Sequence, residues 1–186
     1  MNKVEEAREI LKELQVPVKQ QADLCCFVLL AMADIKEEDN WSSAKNNWIR
    51  IHDVIAYTKE NYGVTYAENS RETFRKQAMH HFRNAAFIED NGKATNSPNY
   101  RYRLTDEMLS LIRSYGTAYW ETEKIKFLKS HETLIKLYAS KRTIRKMPVQ
   151  INGEDFTFSP VSITNFKKLS LKNLLLALLP IPSAFM

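Results

Sequence analysis

The fold of this chain is organised around residues 69–87, NSRETFRKQAMHHFRNAAF. Asn69 is a favourable helix N-cap. Glu72, three positions later, can accept a hydrogen bond from the backbone N–H of the cap, so the sequence predicts a capping box. One stripe at helical spacing is mostly apolar and consists of Phe74, Ala78, His81, Phe82 and Ala85. The opposite side is polar and mainly basic, with Glu72, Lys76, His80 and Arg83, flanked by Thr73 and Arg75.

A helix with a basic outer face and a defined first turn suits the phosphate-lined major groove of duplex DNA. Surface charge alone favours an ordinary solvated helix, which is the alternative. The preceding segment favours DNA: residues 49–62 have helical spacing, Gly63 ends that helix, and only GVTYAEN separates it from Ser70. Two helices joined by a short turn with a glycine at its entrance predict a helix-turn-helix.

The segment after this helix predicts a β-hairpin. A turn-rich stretch, EDNGKATNSPN, precedes Tyr100, Tyr102 and Leu104, which alternate with Arg101 and Arg103 at the period of a strand. A hairpin in this place is the wing of a winged helix. Lys93 at its tip and the two arginines could contact phosphates, or they could be solvated charges that discourage strand pairing.

The other segments predict mainly helices. Residues 4–14 form a helix stopped near Pro17, residues 19–35 a more buried one, and Thr105 and Asp106 cap another. A long helix follows from about Trp120 to Arg145, with a basic far end, KRTIRK. Its expected packing side consists of Trp120, Phe127, Leu128, Leu134, Ile135 and Tyr138. Residues 147–151 and 155–158 predict a second hairpin. The predicted fold class is mainly α, a helix-turn-helix or winged-helix DNA-binding domain with flanking helices and short β-hairpins.

Composition narrows the class of protein. The 186 residues carry a net charge of +5, which permits a nucleic-acid partner without requiring one. Cys25 and Cys26 lie in an apolar run and are expected to be buried free thiols in a reducing cytoplasm. The sequence predicts neither a signal peptide nor a membrane span, so the expected location is cytoplasmic.

No catalytic or metal-binding pattern emerges from the residues. The four histidines, His52, His80, His81 and His131, have no cysteine or carboxylate at zinc spacing. A magnesium-dependent nuclease needs clustered acids with a nearby lysine, and Glu154 and Asp155 have no lysine at that spacing. We therefore expect no cofactor and no catalytic residue in this chain.

Four segments, in order, resemble the N-terminal half of the BsuBI/PstI family of type II restriction endonucleases: NSRETFRKQAMHHF, NSPNYRYRL, RSYGTAYWE and MPVQINGEDFTFSP. The similarity covers roughly residues 12–160. It implies a helix-turn-helix region that grips a short palindrome, CTGCAG for the namesakes. A separate magnesium-dependent nuclease domain of the PD-(D/E)XK type would cut the DNA, and the enzyme would act as a dimer.

The resemblance also implies which residues face DNA. It assigns the helix block, with Arg71, Glu72, Thr73, Arg75 and Lys76, and the wing block, with Asn96, Ser97 and Pro98. With the residues predicted from the pattern, the full DNA-binding set is Asn69, Ser70, Arg71, Glu72, Thr73, Arg75, Lys76, His80, Arg83, Lys93, Asn96, Ser97, Arg101 and Arg103. Residues 1–104 form the expected DNA-binding domain, and residues 105–160 an extension toward a nuclease domain.

The sequence departs from the family after Pro160. The 31 residues after Asp155 contain no acidic side chain, although 22 acids in 186 residues predict three or four. One choice of synonymous codons for residues 161–175, with a single G placed before it, can be read in the displaced frame. That frame encodes GKHNEFQKAIIEEFA, which resembles the family's continuation. We therefore expect residues 161–186 to be a frameshifted tail and the nuclease domain to be lost with it. The alternative is a genuine apolar tail that docks on its own domain or a partner.

The sequence thus predicts the DNA-binding part of a type II restriction endonuclease from a restriction-modification system. Its expected partner is double-stranded DNA, with a homodimer as a further expectation, and the chain alone should bind DNA without cutting it. A stand-alone winged-helix transcriptional regulator, dimerising through residues 120–145, is the alternative. A protein-interaction module that shares only the fold is a third.

Overall fold

The computed structural model describes residues 2–142, 147–151 and 154–158, with side chains up to His131 except that of Glu68. The predicted tail 161–186 and the basic side chains expected near residues 141–146 lie outside the described part. The chain divides into two compact units, residues 1–139 and residues 140–186. The second unit contains the predicted second hairpin, in which Met147 pairs with Phe158. Its strands are β3 (Met147–Ile151) and β4 (Glu154–Phe158).

Three helices form the first part of the larger unit. They are α1 (Lys3–Glu13), α2 (Asp23–Ala33) and α3 (Ile51–Tyr62). Every residue of α2 from Cys25 to Ala33 is buried, so this helix is apolar on all sides and lies at the centre of the unit. Helices α1 and α3 both pack against it. Burial raises the pKa of the Cys25 and Cys26 thiols to about 12, and both are free cysteines as predicted.

The organising helix is present but begins differently from the prediction. It runs without a break through α4 (Arg71–Phe74), a π-helical segment (Arg75–Met79) and α5 (His80–Asn84), here called helix 71–84. Asn69 lies in a 3-10 turn, and the N-cap is Ser70, which has a helical backbone and makes no side-chain cap bond. The predicted capping box is therefore wrong. The carboxylate of Glu72 is instead occupied by cations of its own helix.

The buried stripe of helix 71–84 follows the predicted spacing with one addition. Phe74, Ala78, Phe82 and Ala85 are buried, and His81 is half-buried. Met79 is also fully buried. A π-helical turn holds an extra residue, so two neighbouring side chains can face the core there. The predicted outer residues are all exposed: Glu72, Thr73, Arg75, Lys76, His80 and Arg83.

The connection between α3 and helix 71–84 is short, as predicted. Gly63 ends α3 with a left-handed backbone (φ +68°), and its N–H donates to the carbonyl of Lys59. Tyr66 then packs edge-on against the buried Phe74 ring, with centroids 4.9 Å apart. This contact joins the connection to the core side of the helix that follows.

A two-stranded antiparallel hairpin follows helix 71–84. It pairs β1 (Ile88–Asp90) with β2 (Tyr102–Leu104), and Ile88 faces Leu104. Residue 49, just before α3, extends the hairpin by two backbone hydrogen bonds to Tyr102, of 2.9 and 2.8 Å. The strand prediction is thus correct for 102–104, whereas Tyr100 lies in the loop. The hairpin is therefore fastened to both ends of the helix-turn-helix segment.

Two further helices follow the hairpin, α6 (Asp106–Arg113) and α7 (Trp120–Arg142). The predicted cap of α6 is confirmed, because the Thr105 hydroxyl accepts from the Met108 N–H. Trp120 and Phe127 of α7 are buried as predicted, and Leu128 is half-buried. The predicted packing residues beyond His131, namely Leu134, Ile135 and Tyr138, have side chains outside the described part. None of the described helices is long and apolar enough to cross a membrane.

Replacing Phe74 by Ala should destabilise the fold strongly. The side chain is fully buried, so the change leaves a cavity and should lower the free energy of unfolding by about 3–5 kcal/mol. The exposed neighbour Thr73 provides the control, and Thr73→Ala should change the unfolding free energy by less than about 1 kcal/mol. Urea unfolding followed by circular dichroism measures both. Equal effects of the two substitutions would contradict the packing described.

Candidate nucleic-acid interface

A groove opens where the start of α3, the start of helix 71–84 and the hairpin loop meet. Its volume is about 360 Å³. The lining is basic, hydroxyl-bearing and aromatic, and consists of Arg50, Ile51, His52, Arg71, Thr95, Ser97, Pro98, Tyr100 and Tyr102. No acidic residue is among these lining residues. We call this feature the basic groove, and its donors suit an anionic ligand.

Arg50 is held at the edge of the basic groove by the first turn of α3. Asp53 accepts a hydrogen bond from the Arg50 backbone N–H at 2.9 Å. Its carboxylate also accepts from Nη2 and Nε of the Arg50 side chain, at 2.9 and 3.2 Å. These hydrogen bonds lower the pKa of Asp53. The Arg50 side chain still exposes 47% of its surface, so it is positioned yet open to solvent.

Short polar contacts shape the hairpin loop on the other side of the groove. The Asn91 side chain donates to the carbonyl of Asn99 at 2.7 Å and accepts from the Arg101 N–H at 3.3 Å. The Ser97 hydroxyl accepts from the Asn99 N–H at 3.2 Å. Asn91 therefore ties the two sides of the loop together across its base. Ser97 faces the groove within a loop whose backbone is internally hydrogen-bonded.

Two tyrosines, Tyr100 and Tyr102, also line the basic groove. The rings of Tyr100 and Tyr102 meet edge to face with centroids 4.9 Å apart. Burial raises the pKa of both hydroxyls, and the Asp90 carboxylate near Tyr100 raises the pKa of that hydroxyl further.

The exposed face of helix 71–84 carries a compact charge cluster. Arg75 donates through Nε and Nη2 to the two carboxylate oxygens of Glu72, each at 2.7 Å. Lys76 Nζ lies 3.1 Å from Oε1 of the same carboxylate. We call these three residues the Glu72 cluster. The hydrogen bond from Arg75, followed by that from Lys76, lowers the pKa of Glu72 to about 2.

Two other predicted arginines are paired with acids of the hairpin. Arg83 Nε lies 2.7 Å from Asp90 Oδ2, which joins helix 71–84 to β1. Arg103 Nε lies 2.6 Å from Glu89 Oε1, its register partner across the strands, and its guanidinium lies 4.6 Å from the Trp48 ring centroid. Both arginines therefore support the hairpin.

The structure brings only some of the predicted residues together. Arg71 and Ser97 both line the basic groove, while Glu72, Arg75 and Lys76 form one cluster. The exposed His80 has its Nε2 3.1 Å from the Asn84 side-chain nitrogen. The remaining predicted residues do not line the groove; they are exposed or half-buried and comprise Asn69, Ser70, Thr73, Lys93, Asn96 and Arg101.

Sequence reasoning missed Arg50, His52, Thr95 and the two tyrosines as groove residues. Arg50 and His52 start a helix and lie more than 40 positions before Thr95. No periodic pattern links such distant segments, which the two backbone hydrogen bonds between residue 49 and Tyr102 bring together. In the described residues, no group of three or more His, Cys, Asp or Glu could hold a metal ion.

Comparisons with known proteins agree with the helix-turn-helix arrangement. The sequence model of the BsuBI/PstI restriction endonuclease HTH domain matches residues 1–136. Type II restriction enzyme BsuBI of Bacillus subtilis is 37% identical over 162 residues, covering 84% of this chain and 51% of BsuBI. Type II restriction enzyme AplI of Arthrospira platensis is 32% identical over 149 residues, covering 78% of this chain and 46% of AplI.

Among solved structures, the SdaI restriction endonuclease matches with a TM-score of 0.67 and 26% sequence identity. The match covers 91% of this chain and 55% of the SdaI chain. This chain therefore spans about half the length of the proteins that it resembles.

The Glu72 cluster predicts a measurable titration. Glu72 should titrate at about pH 2 rather than at its ordinary 4.5, because its cationic partners favour the carboxylate. The stabilisation from this pair is complete above about pH 4.5 and is lost as the pH falls toward 2. Arg75→Ala should raise the midpoint toward 4.5, and Lys76→Ala should raise it less. Carboxyl chemical shifts measured by NMR report each midpoint, and a parent value near 4.5 would refute the cluster.

Proposed function

Because this chain belongs to the BsuBI/PstI restriction endonuclease family, we propose that it is the DNA-binding part of a type II restriction endonuclease. In this proposal residues 1–104 grip duplex DNA. Cleavage belongs to a separate nuclease domain of the kind the family resemblance implies, and the magnesium ion would bind there. The chain by itself binds DNA without cutting it.

The basic groove is the observation that carries the proposal. Its charged side chains are all basic, and the hydroxyl-bearing residues Thr95 and Ser97 line the groove with them. Phosphate oxygens in protein–DNA complexes accept hydrogen bonds from such arginine and hydroxyl groups. The lining residues include no carboxylate, and the Asp53 carboxylate that pairs with Arg50 is not among them. The groove therefore suits a stretch of DNA backbone.

The surroundings of the groove support a winged-helix mode of docking. Helix 71–84 presents an exposed polar face beside the groove, and the Arg83–Asp90 ion pair couples this helix to the hairpin. We therefore assign helix 71–84 to the major groove. The hairpin loop, with the exposed Lys93 and Asn96, then lies against the neighbouring phosphates as the wing.

The recognition sequence and the assembly follow from the family resemblance. The proposed site is CTGCAG, a palindrome whose two halves are related by a two-fold axis. A symmetric homodimer would present one helix 71–84 to each half-site. Two exposed apolar side chains, Tyr119 just before α7 and Ile125 within it, offer a candidate contact surface for the second copy.

Salt-dependent binding to duplex DNA tests the proposal. The chain should bind a duplex carrying CTGCAG with an affinity that falls as salt rises. Arg50→Ala should weaken binding to this duplex and to a scrambled one equally, on the order of tenfold. It should also reduce the slope of log K against log salt by about one. Fluorescence anisotropy across a salt series measures both quantities.

Lys59→Ala is the matched control for this experiment. It makes the same charge change on an exposed residue in the last turn of α3, and Lys59 does not line the basic groove. We expect this variant to bind DNA with an affinity within about twofold of the parent chain's. Affinity and its salt dependence both come from phosphate contacts, and the proposal gives Lys59 no such contact. Equal losses in the two variants would place binding outside the groove. No duplex binding at low salt would refute the proposed function.

The reading frame after Pro160 is a separate part of the proposal. The lack of acidic residues after Asp155 supports a frameshift before residues 161–186, a segment outside the described part. Sequencing independent genomic DNA across the codons for Ser159 to Thr164 should show one nucleotide that opens an acid-rich frame. An unchanged frame would make the apolar segment a natural part of the protein.

A further inference from the structure

Arg75 forms a side-on pair with an acid of its own helix, as Arg50 does with Asp53 at the start of α3. Its Nε and Nη2 atoms each lie 2.7 Å from an oxygen of Glu72, one turn earlier on the same helix. The two side chains remain about half exposed, at 48% and 50%. An exposed pair of this kind adds little stability. The pair therefore orients the guanidinium without being required for the fold.

The two Glu72 contacts use only one edge of the guanidinium. Five N–H groups surround this planar group, and the side-on pair uses Nε–H and one N–H of Nη2. The outer edge is formed by Nη1 and the second N–H of Nη2. This outer edge is the fork that matches O6 and N7 of guanine in the major groove. Holding the plane before DNA arrives reduces the entropy lost on binding.

The place of Arg75 in the fold favours a base as its partner. Arg75 lies on the exposed face of helix 71–84, which the proposed function assigns to the major groove. Arg50 is paired in the same way with Asp53, but it lines the basic groove beside the hairpin loop. A guanine edge is an uncharged acceptor, so its recognition depends on the geometry of the fork, which the Glu72 carboxylate holds. The same carboxylate also contacts Lys76 at 3.1 Å, so the cluster has a net charge of only +1.

Two other predicted arginines of this region have different surroundings. Arg83 and Arg103 contact Asp90 and Glu89 of β1, so their guanidinium groups hold the hairpin in place. Arg75 is paired only within its own helix, near the N-terminal end. In helix-turn-helix proteins the N-terminal residues of the recognition helix contact base edges.

We propose that Arg75 reads a guanine through its outer N–H fork and that Glu72 is the positioning residue for this contact. This inference rests on the proposed DNA-binding function and adds a specificity-determining pair to it. Lys76, which lacks a planar fork, then contributes charge without sequence preference.

The first test uses Arg75→Lys, which keeps the charge and removes the fork. The parent chain selects a preferred duplex from a random pool, and each guanine of that duplex is replaced in turn by 7-deazaguanine, which lacks the N7 acceptor. The parent should lose about fivefold or more in affinity at one guanine of each half-site. Arg75→Lys should bind the duplexes with and without that replacement with equal affinity. Its affinity for a scrambled duplex should stay within about twofold of the parent's.

Glu72→Gln tests the positioning role. Removing the negative charge should raise affinity for the scrambled duplex, while the looser arginine should lower the ratio of selected to scrambled affinity by about fivefold. Lys76→Ala is the control from the same cluster: it should lower both affinities equally and leave the ratio unchanged. A merely structural Glu72 would leave the ratio unchanged as well.

Three outcomes would overturn the inference. The parent could tolerate 7-deazaguanine at every position, Arg75→Lys could keep the parent's sensitivity, or Glu72→Gln could leave the affinity ratio unchanged. In each case duplex binding itself would survive, so the proposed function would stand. A chain that binds no duplex at low salt would overturn both.

Discussion

The burial of α2 on every side is the constraint on which the rest of the larger unit depends. A helix that is apolar on every side is shielded from water only when other elements pack all around it. Helix α2 is contacted by α1, α3, helix 71–84 and β2. Each surrounding element therefore has one side directed to α2 and keeps its polar side for solvent. For helix 71–84, the side left outside is the one that carries the Glu72 cluster.

Three chain reversals with left-handed backbones position the surrounding elements. Gln15, Asp34 and Ala86 have φ values of 58°, 54° and 56°, although none is a glycine. Such a conformation costs about 1–2 kcal/mol for a residue with a side chain. In each case the next residue is buried and donates its N–H five residues back along the helix, as Phe87 does to Phe82 at 2.8 Å. Burial of these apolar residues offsets the strain.

The reversal at Ala86 also determines the geometry of the candidate interface. It turns the chain from helix 71–84 directly into β1, so that Asp90 can pair with Arg83 of the preceding helix. The hairpin loop then returns toward the start of α3, where residue 49 bonds to Tyr102 and the basic groove opens. The interface has two kinds of charged surface. The groove lacks carboxylates among its lining residues, whereas the Glu72 cluster combines acid and base.

Local patterns in the sequence were sufficient for the helices, the hairpins and the two faces of helix 71–84. Phe74, Ala78 and Phe82 are buried because helical spacing alone places them on one stripe. The Thr105 cap and the Gly63 end also depend only on neighbouring residues. The predicted cap at Asn69 is wrong because Asn69 lies in a 3-10 turn and the Glu72 carboxylate binds Arg75 and Lys76 instead.

Tertiary structure alone decided the rest. The π-helical segment brings Met79 into the core, which simple 3.6-residue spacing does not predict. Arg50 and His52 join Arg71 and Ser97 because hydrogen bonds between residue 49 and Tyr102 bring distant segments together. A sequence records which residues can form a helix or a strand. Proximity between segments depends instead on how the surrounding elements pack around the buried α2, and so the basic groove emerged only from the folded chain.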